Sequence, residues 1–206
     1  MRPNRLAQQI AFIVEIDKLK RILRQTLLTD ASRQENSAEH SWHIALMAIV
    51  LAEYAPVGVD LFHAIKLLLL HDLVEIDAGD TFCYDLSGNQ SKVERELAAA
   101  DRLFGLLPPD QGAELRSLWE EFEAQVTPEA KFAAALDCLQ PILNNQQTGG
   151  ASWQKHGITS NQVLWRMQPV QSGAPELWPL VEQIVADCVA AGYLQAPLPA
   201  ESVSTE

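Results

Sequence analysis

His71, Asp72 and Glu75 lie in LLLLHDLVEIDAGD, residues 67–80, where a leucine run ends in ionisable groups. Apolar runs belong in a protein interior, and an interior accepts such groups only with partners. On a helix, Asp72 and Glu75 are three apart and His71 and Glu75 four apart, so the three gather on one surface. Imidazole with carboxylate is a ligand set for a borderline divalent metal. Two distant residues have the same character. His40, in SAEHSWHIALMA, falls in the first turn of a helix whose inward face is otherwise apolar. Asp137, in KFAAALDCLQ, is an isolated charge among alanines and leucines, and needs a cation or hydrogen-bond donors. Together His40, His71, Asp72 and Asp137 would give two imidazoles and two carboxylates around one metal. Their summed negative charge matches a divalent cation, and a metal accepting five or six ligands keeps positions for water and substrate. Taken alone, His71-Asp72 reads more simply as an ion pair at a helix end.

The segments that must position these groups read as helix almost throughout. A 3.6-residue apolar period covers about residues 5–24. The polar stretch LLTDASRQENS connects it to a helix capped by Ser37 and ending at Pro56. Asp60 caps a third helix that runs through the leucines to Ala78-Gly79. Further helices are predicted over about 91–106 and 112–124. Another starts at Thr127, with Pro128 at its first position and Pro141 set to kink or end it. QQTGGASWQKHG reads as a loop, followed by helices over about 160–166 and 175–191. No strand alternation, internal repeat, heptad array or glycine-rich phosphate loop is found. The expected class is all-α: a single domain over residues 1–195, a bundle of about seven or eight helices, with a disordered tail at 196–206.

The net charge of −12 over 206 residues repels nucleic-acid backbones, so a broad nucleic-acid footprint is excluded. A small anion in a local basic pocket is not. No apolar run is long enough to span a bilayer. The amino-terminal apolar stretch is broken by Glu15, Asp17 and lysines, which marks an amphipathic helix, not a signal peptide. Cys83, Cys138 and Cys188 form no CxxC pair, so neither a disulfide framework nor a zinc ribbon is supported, and a reducing cytoplasm is the expected compartment.

ENSAEHSWHIALMA, LLLLHDLVEIDAGD and KFAAALDCLQPIL, with LWEEFE between the last two, resemble the HD-domain metal-dependent phosphohydrolases. Within that superfamily they are most similar to the group of HD domain-containing protein 2 and the bacterial 5'-deoxynucleotidases. The similarity covers about residues 19–145. It implies that His40, His71, Asp72 and Asp137 are the ligands of one divalent metal ion (Mn, Co, Fe, Ni, Zn or Mg). It implies that Glu75 handles the water and leaving-group proton, and that Asp80 lies near the sugar. Arg33 matches an arginine of the relatives, and Arg24 is a second candidate for the phosphate. The implied reaction is hydrolysis of (deoxy)nucleoside 5'-monophosphates, with another small phosphomonoester or a non-catalytic nucleotide-binding role as alternatives. A homodimer is implied by the resemblance alone. One departure stands out: the bacterial enzymes carry an Arg-Trp pair where this chain reads LRQTLLTD, with no tryptophan.

Simpler roles suit the other conspicuous residues. His43 reads as a hydrogen-bonded wall residue, and His63 and His156 as surface or loop. Cys138 reads as core, while Cys83 is placed to line the cleft. Trp42, Trp119, Trp165 and Trp178 read as packing residues, and EREL and WEEFE as solvated helix faces.

Overall fold

A computed structural model describes residues 4–85, 88 and 90–197; residues 198–206 of the expected tail lie outside the described residues. In chain order come α1 (Arg5–Ile16), a 3-10 turn (Asp17–Arg21), β1 (Leu23–Leu27), β2 (Gln34–Asn36), α2 (Ser37–Val50) and α3 (Leu61–Leu70). A 3-10 turn (His71–Val74) then leads directly into α4 (Glu75–Ala78). The carboxy-terminal half holds α5 (Lys92–Phe104), α6 (Pro109–Ala124), α7 (Pro128–Gln147), α8 (Ala151–His156), α9 (Ser160–Arg166), α10 (Gln168–Gly173) and α11 (Trp178–Ala190). Among the described residues the all-α expectation holds apart from one small antiparallel pair, β1 with β2, and an isolated bridge between Thr159 and Gln195.

That hairpin replaces the end of the long first helix and the polar connection expected from the sequence. It pairs Leu23 with Asn36 and Leu27 with Gln34, with an irregularity between. Its importance is positional: β1 carries Arg24, β2 carries Glu35, and both turn inward. β2 runs straight into α2, whose N-cap is Asn36 and not Ser37. The Asn36 side chain accepts from the Glu39 backbone, and Glu39 accepts from the Asn36 backbone. This reciprocal box satisfies two of the helix's orphan donors and fixes the first turn, which holds His40.

The leucine run forms α3 as expected from the Asp60 cap, whose carboxylate accepts from the Phe62 and His63 backbones. It does not continue as one helix. The backbone tightens into a 3-10 turn at His71–Val74 before α4, and Gly79 ends α4 with φ of 76°. Two apolar clusters meet here. Leu67 and Leu68 belong to a large cluster around α7, and Leu73 and Val74 belong to a second with Phe12, Phe104 and Trp119. His71 and Asp72 therefore sit on the seam between two cores.

α7 is the central element. Thr127 caps it, Pro128 opens it, and it runs through Pro141 to Gln147. Proline removes one hydrogen bond, but most of the helix surface is buried by its neighbours, and that packing holds the helix together. QQTGGASWQKHG is not a loop: α8 forms within it, bounded by Gly150 and Gly157 in the left-handed region. α10 packs against α7 so closely that a Cβ on Gly173 would lie 2.0 Å from the Lys131 carbonyl oxygen. This contact docks the carboxy-terminal helices, and with them Arg166, onto α7. Gly173→Ala is therefore expected to cost about 1–3 kcal/mol through overpacking, read as a fall in unfolding temperature. An unchanged temperature would mean that α10 is not seated on α7 as described.

Candidate metal centre

Four elements converge at the seam. α2 delivers His40, the 3-10 turn delivers His71 and Asp72, α4 delivers Glu75, and α7 delivers Asp137. His40, His71 and Asp72 are buried, and one ligand atom from each lies within 4.8 Å of the others. Asp137 closes on them through both imidazoles: its Oδ1 is 3.0 Å from His40 Nε2 and 3.7 Å from His71 Nε2. Asp72 Oδ1 is 3.0 Å from His71 Nε2. The structure thus brings together all four residues that the sequence singled out.

The imidazoles are held from behind. His71 Nδ1 donates to the Leu68 carbonyl at 2.8 Å, which turns Nε2 toward the centre. That Nε2 is buried and finds no partner in hydrogen-bond geometry. His40 Nδ1 faces Gln140 Oε1 at 3.1 Å, so its Nε2 also points inward, at the Asp137 carboxylate. A buried imidazole nitrogen without a hydrogen bond, aimed at carboxylates, is the arrangement a divalent cation would satisfy. The donor set fits such an ion.

The electrostatics say the same thing. Burial alone would push the His71 imidazolium down. The Asp72 and Asp137 carboxylates outweigh it and hold its pKa well above the ordinary value. Burial would raise Asp137, yet its contacts with His40 and His71, and then Arg166, hold it well below the usual carboxylate range. Asp72 is depressed to about 2, because His71 and Arg24 overcome its burial. Glu75 goes the other way. Burial and then the Asp72 charge keep its carboxyl well above the usual range, although Ser37 Oγ donates to its Oε2 at 2.6 Å. Asp80, just after the Gly79 turn, is also raised; burial leads and the Asp72 charge adds, against the opposing pull of Arg24. The loop carrying Asp80 is tied to α5, since Arg95 donates to the Ala78 carbonyl and, at 2.9 Å, to Thr81 Oγ1.

The two arginines singled out from the sequence separate. Arg24 reaches the centre: its Nη1 is 2.8 Å from Asp72 Oδ2 and its Nε 3.9 Å from Glu35 Oε2. The structure does not bring Arg33 there. It is exposed and bonds Glu39 bidentately, at 2.8 and 2.6 Å, bracing the start of α2. The cation that the sequence reading missed is Arg166, at the end of α9. Its Nη2 is 3.2 Å from Asp137 Oδ2 and its Nη1 2.6 Å from Cys138 Sγ. Also missed were Gln140 and Glu35, buried behind His40. Gln140 carried a signal, since it lies one turn beyond Asp137 in the same apolar stretch.

The remaining residues mostly follow their simpler roles. His43 meets Gln140, His63 meets Glu121 at 2.8 Å, and His156 stacks near Phe82. Two expectations are corrected. Trp42 and Trp165 are 62% and 64% exposed, so they pack no core. Glu96 of EREL is buried and 3.5 Å from Lys92. Among the described residues no helix is long and apolar enough to cross a membrane.

Comparisons with known proteins place the chain in a family. A family model described as HD domain matches residues 16–178. 5'-deoxynucleotidase HDDC2 of Xenopus laevis is 34% identical over 135 residues, covering 65% of this chain and 66% of that protein. The human 5'-deoxynucleotidase HDDC2 is 33% identical over 135 residues, covering 65% of each. The match thus spans just under two thirds of these relatives' length. The crystal structure of a predicted metal-dependent phosphohydrolase from Magnetospirillum magnetotacticum MS-1 superposes with a TM-score of 0.90 at 54% identity, covering 93% of this chain and 96% of that one. On the match over residues 16–178, the chain belongs to the HD domain family.

Proposed function

We propose that the protein is a metal-dependent phosphomonoesterase acting on (deoxy)nucleoside 5'-monophosphates, with one divalent ion held by His40, His71, Asp72 and Asp137. The observation that carries the reading is the buried His71 Nε2, without a partner in hydrogen-bond geometry, 3.0 Å from Asp72 Oδ1 and 3.7 Å from Asp137 Oδ1, with His40 Nε2 on the same Asp137 oxygen. The relatives' names supply the substrate class. When bound, the ion would supply a nucleophilic water at neutral pH and positive charge for the phosphoryl oxygens. Its identity stays open among Mn, Co, Fe, Ni, Zn and Mg, since this donor set accepts several.

The chain's own residues do the rest. Burial and the Asp72 charge raise the Glu75 carboxyl and so favour its protonated form, which suits it to deliver a proton to the leaving 5' oxygen. Asp80, on the turn behind Glu75, is the candidate for the sugar. Arg24, anchored on Asp72, is the phosphate-facing cation in this reading; Arg33, engaged with Glu39, is not. The reaction suits a cytoplasmic protein acting on small nucleotides, not on polymers.

We also propose a homodimer, in line with the resemblance. Leu6, Ile10, Ile13 and Val14 on α1 and Trp42, Leu46, Ile49 and Val50 on α2 follow helical spacing and are 41–73% exposed. Apolar stripes of this kind mark association surfaces. Sedimentation equilibrium should give twice the chain mass, and Trp42→Glu with Ile49→Glu should return monomer; a monomeric wild type contradicts the proposal.

Phosphate release from a panel of deoxy- and ribonucleoside 5'-monophosphates with Mn²⁺, Co²⁺ or Mg²⁺ tests the activity. Asp137→Ala should lose both metal retention and turnover. Glu75→Ala should keep the metal and lose turnover by about 10²–10⁴-fold. Full turnover in either variant would remove that residue from its role. No release from any nucleotide, with a nucleotide raising the unfolding temperature, would favour the binding-only reading.

The pH dependence has a definite sign. In the metal-free protein, His71 and Glu75 bind protons more tightly folded than unfolded. Their contribution is present below the unfolded values, ~6.5 and ~4.3, and is lost as pH rises through the folded ones. The metal-free unfolding temperature should therefore fall as pH rises above about 6.5, while the increment from Mn²⁺ should grow, because fewer protons must be displaced. An increment that shrinks across this range would contradict metal binding through the imidazoles.

A further inference from the structure

We propose that Glu35 and Gln140 are positioning residues that fix the tautomer of His40 and so present its Nε2 lone pair to the metal. The proposal rests on the reading of His40 as a ligand. The three side chains are buried, with relative exposures of 2%, 0% and 0% for Glu35, Gln140 and His40, so water does not compete for their polar atoms.

The donors and acceptors around Nδ1 admit one consistent arrangement. A carboxylate only accepts, and Glu35 Oε1 lies 2.7 Å from the Gln140 amide, so that amide must present its NH₂ group to it. The second N–H of the same nitrogen meets His43 Nδ1 at 3.2 Å. Gln140 Oε1 is then left facing His40 Nδ1 at 3.1 Å, and an oxygen there requires the Nδ1–H form. Glu35 Oε2, 3.6 Å from the same nitrogen, favours that proton too. Without the ion, His40 Nε2 donates to Asp137 Oδ1 at 3.0 Å; with the other proton held on Nδ1, it is the Nε2 proton that a metal would displace, leaving the lone pair there. Reversing the Gln140 amide would put its NH₂ against Nδ1 and send the proton to Nε2, where it blocks coordination.

The other imidazole needs no such relay. His71 Nδ1 donates to a backbone carbonyl, whose acceptor character cannot reverse. The α2 ligand is thus the one whose tautomer depends on side chains, one from β2 and one from α7. Arg24, 3.9 Å from Glu35 Oε2, supplies a counter-charge for the carboxylate and joins the hairpin to the same network.

Three variants test this: Glu35→Met, Gln140→Met and the exchange Glu35→Gln with Gln140→Glu. The methionines keep volume and remove the polar relay. The exchange rebuilds it with the roles reversed: an amide on β2 can donate to a carboxylate on α7, and that carboxylate can accept from His40 Nδ1–H. Two quantities are read: the Mn²⁺ dissociation constant, and the His40 tautomer from long-range ¹H–¹⁵N correlation in metal-free protein at alkaline pH, with Asp137→Ala added in every case to remove the competing acceptor at Nε2. Each single variant should weaken Mn²⁺ binding by about 10–100-fold and lose the pure Nδ1–H signature. The exchange should return both close to wild type, which a packing role alone does not explain. Wild-type affinity and tautomer in the single variants, or an exchange no better than they are, would overturn the proposal. If the wild type binds no Mn²⁺, the ligand reading fails, whereas the tautomer measurement still decides the relay.

Discussion

The structure depends on one electrostatic constraint. Two imidazoles and two carboxylates are driven to the seam between two apolar cores, where water reaches them little. An unpaired charge in such a place costs several kcal/mol. The surrounding protein relieves part of this: Arg24 takes the outer oxygen of Asp72, and Arg166 takes the outer oxygen of Asp137. Each arginine thereby leaves the other carboxylate oxygen near the imidazole nitrogens. What remains at the centre is two imidazole Nε2 atoms facing two carboxylate oxygens. A divalent cation would complete that group.

The architecture follows from the need to bring these groups in from distant parts of the chain. α7 supplies Asp137 and Gln140 from one face and is gripped on several sides by other helices. The 3-10 turn tightens the chain where the leucine helix would otherwise have continued, which directs His71 and Asp72 into the seam. The hairpin, small as it is, supplies Arg24 and Glu35 and sets the start of α2 through the Asn36–Glu39 box. The docking of α10 on α7 at Gly173 holds α9 and Arg166 alongside the centre. The centre therefore joins nearly every part of the fold.

Much of this was legible in the sequence, for identifiable reasons. Asp60 and Thr127-Pro128 announced two helix starts, because capping chemistry is local. The four residues of the candidate centre stood out because ionisable groups in apolar helical runs are anomalous wherever they occur. The hairpin was illegible: five and three residues with polar sequences, LRQTL and QEN, carry no alternation to detect. α8 was mistaken for a loop, although its bracketing glycines were the caps of a short helix. Pro141 suggested a break that burial of α7 overrides. Arg166 and Glu35 gave no signal, because a charge in a short helix or strand is ordinary until the fold reveals what it faces. Arg33 shows the converse: a plausible neighbour in sequence was claimed by Glu39 at the surface.

The most direct test of the central claim is a crystal grown with excess Mn²⁺, examined by anomalous scattering at the manganese edge. The account predicts a single strong peak bonded to His40 Nε2, His71 Nε2, Asp72 and Asp137, with the His40 Nδ1–Gln140 and His71 Nδ1–Leu68 contacts kept. A peak elsewhere, with His40 and Asp137 still in direct contact and His71 Nε2 still unbonded, would contradict it.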